Sequence, residues 1–332
     1  MEHNKNTYLF LLAAVTVWCF LLLSPLLISY FTGTHFISSV VYNFFGHICH
    51  QIDSRSLHYY DTKFAVCARC LGIYFGFLFG LILVPLFKKV VDSKIKIGLL
   101  LITLPMIVDV SLDFTGVHNS NLFTRAITGL IFGISSAILI YPSFQQAINE
   151  IFNQRERKNS MYEKPDKIIP ALYGGLIIGL ISSIPFLNFI NCLCCAGIML
   201  GGVLAIFFYK ENFTPETPQF TAGDCMTVGV FAGLVGAISG TILSYIFMLA
   251  FGNVMGEYIL QLLRQMDLQL PEESWEMIKN SLEESWTVGG IILNLVFSLI
   301  LNSIFGMLGG LIGYNIFKPK PTAIQPPYQQ NV

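Results

Sequence analysis

The feature that most constrains this chain is a series of unbroken apolar stretches, each about 18 residues long or longer. A helix rises about 1.5 Å per residue, so about 20 apolar residues are needed to cross the hydrocarbon core of a bilayer. Hydrophobic residues make up 54% of the 332 residues and charged residues only 12%, about half the charged fraction of a soluble domain. The sequence therefore predicts an all-α, polytopic membrane protein.

We expect about eight transmembrane helices, each bounded by polar or proline-containing segments. The predicted spans are residues 8–31, 64–87, 97–115, 122–141, 168–190, 192–209, 224–251 and 288–317. The first of them is too long for a cleavable signal peptide, whose apolar region has about 7 to 15 residues. We therefore interpret it as a retained membrane anchor.

The positions of lysine and arginine predict the orientation, because these residues favour cytoplasmic loops. With the amino terminus inside, most of them fall on the cytoplasmic side, whereas the opposite side carries an acidic segment at residues 257–284. The predicted cytoplasmic residues are Lys5, Lys88, Lys89, Lys94, Lys96, Arg155, Arg157, Lys158, Lys164, Lys167, Lys210, Lys318 and Lys320. We therefore predict a protein of the cell membrane with both termini in the cytoplasm.

The spans divide into two halves of four helices each. We expect a first membrane domain at residues 1–142, a charged cytoplasmic linker at 143–167, a second membrane domain at 168–317 and a cytoplasmic tail at 318–332. In the second domain, residues 253–287 predict an amphipathic segment that caps the outer side.

A loop on the predicted outer side concentrates side chains that bind soft metals. Cys67 and Cys70 have the Cys-x-x-Cys spacing that can hold one tetrahedral ion, and Cys49 with His50 or His47 would complete a Cys₃His set of the structural zinc type. A disulfide from Cys49 to Cys67 or Cys70 explains the same thiols on an oxidising face of the membrane. Packing of small apolar cysteines is a third interpretation.

Charged residues that a bilayer should exclude form a second candidate site. Asp109 and Asp113 lie four residues apart on one face of the third predicted span, and Arg125 is in the first turn of the fourth. We expect Asp109 to pair with Arg125 or Arg69, although a purely structural ion pair explains these residues equally well. The polar residues predicted at this depth are Arg55, Arg69, Asp109, Asp113, Asn121 and Arg125.

A further group of cysteines lies at the predicted turn between the fifth and sixth spans. It consists of Cys192, Cys194 and Cys195, whose spacing is not a standard zinc pattern. These thiols could join the first site, pair among themselves or only pack, and packing is the interpretation we prefer.

The first half of the chain resembles a family of prokaryotic predicted membrane proteins grouped as a domain of unknown function. The resemblance covers about residues 49–133 and its combined motif is specific. The matching residues are Cys49-His50-Gln51, Arg55-Ser56, Cys67-Ala68-Arg69-Cys70-Leu71-Gly72-Ile73-Tyr74, Leu104-Pro105, Asp109, Asn121, Arg125, Thr128-Gly129 and Gly133. This signature contains Cys-His but does not demand a histidine at position 47, so it implies that His50 is the fourth ligand.

The chain departs from that family in two places. The family follows the aspartate with glycine and has glutamine near position 113, where this chain has Val110 and Asp113. We therefore do not expect Asp113 to belong to a site shared by the family. The second half is similar to uncharacterised bacterial membrane segments with an Asn-Cys-x-Cys-Cys turn.

Three classes of function remain after nucleic-acid binding is excluded by a net charge of −1 and by the lack of a basic stripe. We favour a non-catalytic module that is stabilised by one zinc ion or by a disulfide. Its partner would be membrane lipid or another membrane protein, which includes a second copy of the chain. A metal-dependent enzyme at the outer interface is the first alternative, although a full Cys₃His set leaves no open position for chemistry. A transporter is the second alternative, and the scarcity of intramembrane charge in the second half counts against it.

Overall fold

A computed structural model gives the fold, which is mostly helical. The structure describes residues 2–31, 35–60, 62–87, 93–114, 120–154, 164–184, 195–214, 219–251 and 287–318. The first half contains the helices α1 (Glu2–Phe31), α2 (His35–Gly46), α3 (Ala68–Phe87), α4 (Ser93–Ile102), α5 (Leu104–Phe114) and α6 (Leu122–Gln154). The second half contains α7 (Ile168–Ser183), α8 (Ala196–Glu211), α9 (Ala222–Phe251) and α10 (Val288–Phe317).

Five of the described helices are long and apolar enough to cross a membrane, namely α1, α3, α6, α9 and α10. The helix α7 is apolar but has only 16 residues. The predicted span at residues 97–115 is divided into α4 and α5, with a turn at Thr103 in which the Thr103 N–H donates to the Leu100 carbonyl at 3.1 Å. Pro105 explains this break, because it has no N–H to donate to the carbonyl four residues earlier.

The predicted all-α fold contains one short hairpin among the residues that the structure describes. Strands β1 (Ser56–Tyr59) and β2 (Thr62–Cys67) form an antiparallel hairpin in which Ser56 is opposite Cys67. Residues 64–67 had been assigned to the start of the second span, but they belong to β2, and the helix begins only at Ala68. The run Phe64-Ala65-Val66 suits a half-buried strand as well as a helix, so apolarity alone did not separate the two.

Helices α3 and α6 run parallel, with their amino-terminal ends side by side. A Cβ atom at Gly72 would overlap the carbonyl oxygen of Ala126, and one at Gly133 would overlap the carbonyl oxygen of Ile73. The two backbones are therefore in direct contact, as small residues at four-residue spacing allow in membrane helices. This contact places the first turns of α3 and α6 next to each other.

The four helices of the second half pack through small residues in the same way. Gly229 of α9 meets Gly306 of α10, and Gly201 of α8 meets Ile178 of α7. The direction of the contacts makes α7 and α9 parallel to each other and antiparallel to α8 and α10. The largest buried core joins the two halves, since it contains Phe45 and Val66 as well as Ile178 and Leu301, among others.

Candidate functional site

Three cysteines converge where the hairpin meets α3. Cys49 follows the turn that ends α2, in which its N–H donates to the Phe45 carbonyl at 3.0 Å. Cys67 is the last residue of β2, and Cys70 lies in the first turn of α3. The three Sγ atoms lie within 4.8 Å of one another and all three side chains are buried. The structure thus brings together the three thiols that sequence spacing had grouped.

The donor set suits a thiolate-bound metal. A tetrahedral zinc ion with Zn–S bonds of about 2.3 Å holds its sulfurs about 3.8 Å apart, so the observed group needs only a small contraction. The Cys67 N–H donates to the Sγ of Cys49 at 3.1 Å. Hydrogen bonds from the Cys49 and Cys70 thiols and the neighbouring His50 hold the pKa of Cys67 well below its ordinary value. None of the six cysteines that the structure describes forms a disulfide.

His50 is close enough to Cys67 to help lower the pKa of that thiol, but it does not belong to the group of three sulfurs within 4.8 Å of one another. Its Nδ1 accepts the N–H of Ile52 at 3.1 Å. A neutral imidazole that accepts at Nδ1 carries its proton on Nε2, so this tautomer makes His50 a donor to sulfur. To become a ligand through Nε2, the ring must move that proton to Nδ1, and the Ile52 N–H must find another acceptor.

The side chain of Gln51 holds the loop that follows Cys49 against the hairpin. Its Nε2 donates to the carbonyls of Tyr42 and Ala65, both at 2.8 Å, and its backbone has a left-handed φ of 49°. Ser56, which is buried, closes the other side of the loop through a 2.8 Å hydrogen bond from its Oγ to the Ile52 carbonyl. These contacts fix the loop between Cys49 and the strand that carries Cys67.

The charged residues form a compact cluster at the amino-terminal ends of α3 and α6. Arg69 Nη2 donates to Asp109 Oδ2 at 2.5 Å, and Arg125 Nη2 donates to Asp113 Oδ1 at 2.5 Å. Arg55 lies 3.5 Å from Asp113 and has the more exposed side chain of that pair, at 34%. Of the two pairings considered for Asp109, the structure has the one with Arg69.

Ser120 connects the two ion pairs. Its Oγ donates to Asp109 Oδ1 at 2.6 Å, and its carbonyl accepts from Arg125 Nε at 3.0 Å. Sequence reasoning missed this residue, because a serine in a loop carries no signal of burial. Asn121 has a different role, since its side-chain oxygen caps α6 by accepting the Thr124 N–H at 2.8 Å. Asp113, which we had not expected at a family site, lies at the centre of the cluster.

The cluster carries more positive than negative charge. It contains three arginines and two aspartates, which leaves one formal positive charge. Arg69 Nε and Arg125 Nη1 are buried and have no hydrogen-bond partner among the described residues. Buried donors usually have acceptors, so each of these two N–H groups can donate to one more acceptor.

The second cysteine group falls mostly outside the described residues. Cys192 and Cys194 lie outside them, while Cys195 is fully buried immediately before α8 with a φ of 59°. Cys195 does not belong to the described three-sulfur group, which consists of Cys49, Cys67 and Cys70.

The long apolar helices, together with a buried group of thiols and arginines at helix ends, define a multi-helix membrane protein. Comparisons with known proteins give its family. The model of the family described as predicted membrane protein (DUF2085) matches residues 49–139, and that of the MJ1491 transmembrane domain matches residues 168–320. The chain belongs to the DUF2085 family of predicted membrane proteins, and its second half carries the MJ1491 transmembrane domain.

Two archaeal relatives match part of the chain. The uncharacterized protein MJ1492 of Methanocaldococcus jannaschii is 41% identical over 119 residues, which are 35% of this chain and 76% of that protein. An uncharacterized protein of Methanothermobacter thermautotrophicus is 35% identical over 99 residues, which are 29% of this chain and 86% of that protein. No solved structure matches the chain.

Proposed function

We propose that the first half of the chain is a non-catalytic module that binds the phosphate group of an anionic lipid at the outer membrane face. The observation that carries this proposal is the pair of buried arginines with unpartnered N–H groups, Arg69 and Arg125, in a cluster with one excess positive charge. Arginine presents several N–H donors in a fixed plane, which matches phosphate oxygens.

The location of the cluster favours a lipid over a soluble anion. Arg69 and Arg125 lie in the first turns of α3 and α6, both apolar enough to span a bilayer. Lipid phosphates lie at this depth, just outside the hydrocarbon core. Arg55 is at the accessible edge of the cluster, where a headgroup would enter.

In the same proposal one zinc ion fixes the loop next to this cluster. Cys49, Cys67 and Cys70 would hold it as thiolates, and His50 would be the fourth ligand after its proton moves to Nδ1. A zinc ion with four protein ligands stabilises a fold and leaves no position for a reacting water. Its effect here would be to fix the hairpin that carries Arg55 against the start of α3.

The lipid proposal is tested by the retention of lipid on purified protein. Protein extracted from bilayers of phosphatidylglycerol and phosphatidylcholine should keep phosphatidylglycerol preferentially. Arg55→Gln should lower that retention about fivefold, since one arginine near a membrane phosphate contributes about 1 kcal/mol. Lys63→Gln is the matched control, because it removes one charge from the same hairpin at a distance from the cluster. Equal retention by the two variants, or no preference for the anionic lipid, would contradict the proposal.

The zinc proposal is tested by metal analysis with and without reductant. Purified protein should contain about one zinc per chain, lost in Cys70→Ser and kept in His47→Ala and in Cys225→Ala, which removes a buried thiol of α9. Metal-free protein whose thiols can be alkylated only after reduction would establish the disulfide instead. Metal-free protein with thiols that react without reductant would leave only packing.

We also propose that the chain crosses the membrane eight times with both termini in the cytoplasm. The parallel packing of α3 and α6 supports this proposal. Two parallel helices that both span the membrane need a crossing in the opposite direction between them, and α4 with α5 would supply that crossing. Reporter fusions at Lys5, Lys94 and Lys320 should score cytoplasmic, and an insertion after Ser56 should score external. Scores that place Ser56 and Lys94 on the same side would refute the arrangement.

A further inference from the structure

A large polar cavity lies between α2 and the helices of the second half. Its volume is about 860 Å³, within the usual size range of small-molecule sites and many times the volume of one water molecule. The described residues that line it include Tyr42 and His47 from the first half, and Ser244, Ser298 and Asn302 from the second. None of the four proposed zinc ligands and none of the three clustered arginines is among them.

The lining that the structure describes mixes polar and apolar groups, and His47 is the one side chain in it that can carry a formal charge near neutral pH. The described residues around the cavity include hydroxyl, amide and imidazole side chains, and no aspartate, glutamate, lysine or arginine. The imidazole of His47 is one of these groups. The ring is held by the Asn43 carbonyl, 2.9 Å from Nδ1, and by the side chain of Asn294. Uncharged donors and acceptors that converge on a cavity select for a solute with hydrogen-bonding groups and without net charge.

The cavity ends at the middle of the bundle. Its deepest lining residues include Gly236 and Asn302, which lie at the midpoints of α9 and α10. Beyond them the two helices are in backbone contact, since a Cβ at Gly233 would overlap the Asn302 carbonyl and one at Gly310 the Cys225 carbonyl. At the other end the lining includes Gln51, the residue after His50. Entry is therefore from the end of the bundle that carries the cysteine site.

Several polar groups of the lining already have protein partners, such as the hydroxyl of Tyr42, which donates to the Lys63 carbonyl, and that of Thr241, which donates to the Ala237 carbonyl. Hydroxyl and amide groups inside a membrane bundle need partners, and polar residues in such segments commonly line a substrate path or a water-filled cavity. Ser298 and Asn302 lie four residues apart on α10, so both face the same side of that helix. Ile300, between them, is 46% exposed on the outside of the bundle.

We propose that this cavity is a binding site for a small uncharged solute with several hydrogen-bond donors and acceptors, such as a short polyol. The solute enters from the end that carries the cysteine site and is stopped at mid-bundle by the glycine contacts. The contacts that would hold it come from both halves of the chain. This site is separate from the proposed lipid site and can fail independently of it.

The first test asks whether water reaches the cavity. Protein in nanodiscs is treated with a small uncharged, hydroxyl-bearing methanethiosulfonate reagent, with the unmodified chain as the background for its native cysteines. Ser298→Cys should react at least about tenfold faster than Ile300→Cys, because a thiolate forms in water and not against lipid. Equal rates, or no reaction at position 298, would overturn the proposal.

The second test asks whether a solute binds. Glycerol should slow the modification of Ser298→Cys, about threefold at a concentration of twice its dissociation constant. Choline chloride at the same concentration is the charged control, and a free thiol peptide corrects for solvent effects. Slowing by glycerol alone supports the site. No slowing by glycerol would show that the cavity holds only water, and equal slowing by choline would show that it does not discriminate against charge. Either result overturns the proposal.

Discussion

The ion pair between Arg69 and Asp109 allows a quantitative test of which residues pair with each other in the charged cluster. Both side chains are about nine-tenths buried and their atoms are 2.5 Å apart. Removal of one partner leaves a buried charge without its counter-ion, which costs about 3–5 kcal/mol. Arg69→Gln and Asp109→Asn should therefore each lower the free energy of unfolding by about that amount. The double variant should lose about 2–3 kcal/mol less than the two single losses added together.

The coupling energy from a double-mutant cycle distinguishes this pair from its neighbours. We expect about 2–3 kcal/mol between positions 69 and 109, at the upper end for residues in contact. The cycle between Asp109 and Arg125 should give much less, because these two side chains form no ion pair with each other and are bridged through Ser120. Unfolding in mixed detergent micelles, followed by circular dichroism, gives the free energies. A coupling at 109–125 as large as that at 69–109, or additive effects at 69–109, would refute the pairing.

Three further predictions concern other parts of the molecule. Gly129→Ala should lower the Tm, because its Cβ would overlap the Arg69 carbonyl, whereas Gly98→Ala, which has open space, should not. Asp224→Asn should destabilise the chain by about 3–5 kcal/mol, since it leaves two lysines facing a fully buried site. Burial lowers the pKa of His47 in the folded chain below its value of about 6.5 in the unfolded chain. The contribution of neutral His47 to stability is therefore complete above about pH 6.5 and is lost as the pH falls below it. The decrease in Tm between about pH 7 and pH 5 should therefore be smaller in His47→Gln, and an unchanged decrease would contradict this assignment.

The long apolar helices could be predicted from the sequence because length and hydropathy determine them directly. Val288–Phe317 begins and ends where the apolar run does. Where short-range chemistry competes with apolarity, the prediction was less accurate. Pro105 divided one predicted span, and the segment Thr62–Cys67 became a strand because it pairs with Ser56–Tyr59, a partner that no local pattern identifies.

The candidate site could be predicted only in part. Membrane depth alone was enough to group Arg69, Asp109 and Arg125, since charges in a bilayer must find one another. Asp113 was predicted in the same polar cluster but not as part of a site shared by the family, because it departs from the family pattern, and it accepts from Arg125 directly. Ser120 and the cavity residues could not be found in the sequence. Small polar residues scattered over several helices look the same whether they face a cavity, a neighbouring helix or lipid.

The parallel arrangement of α3 and α6 also shapes the electric field of the first half. Each helix carries about half a positive charge at its amino-terminal end and half a negative charge at the other. The two positive ends coincide at the arginine cluster. The negative ends do not, because α3 has 20 residues and α6 has 33, which correspond to lengths of about 30 Å and 50 Å. The field of this helix pair is therefore concentrated at one end and spread over about 20 Å at the other.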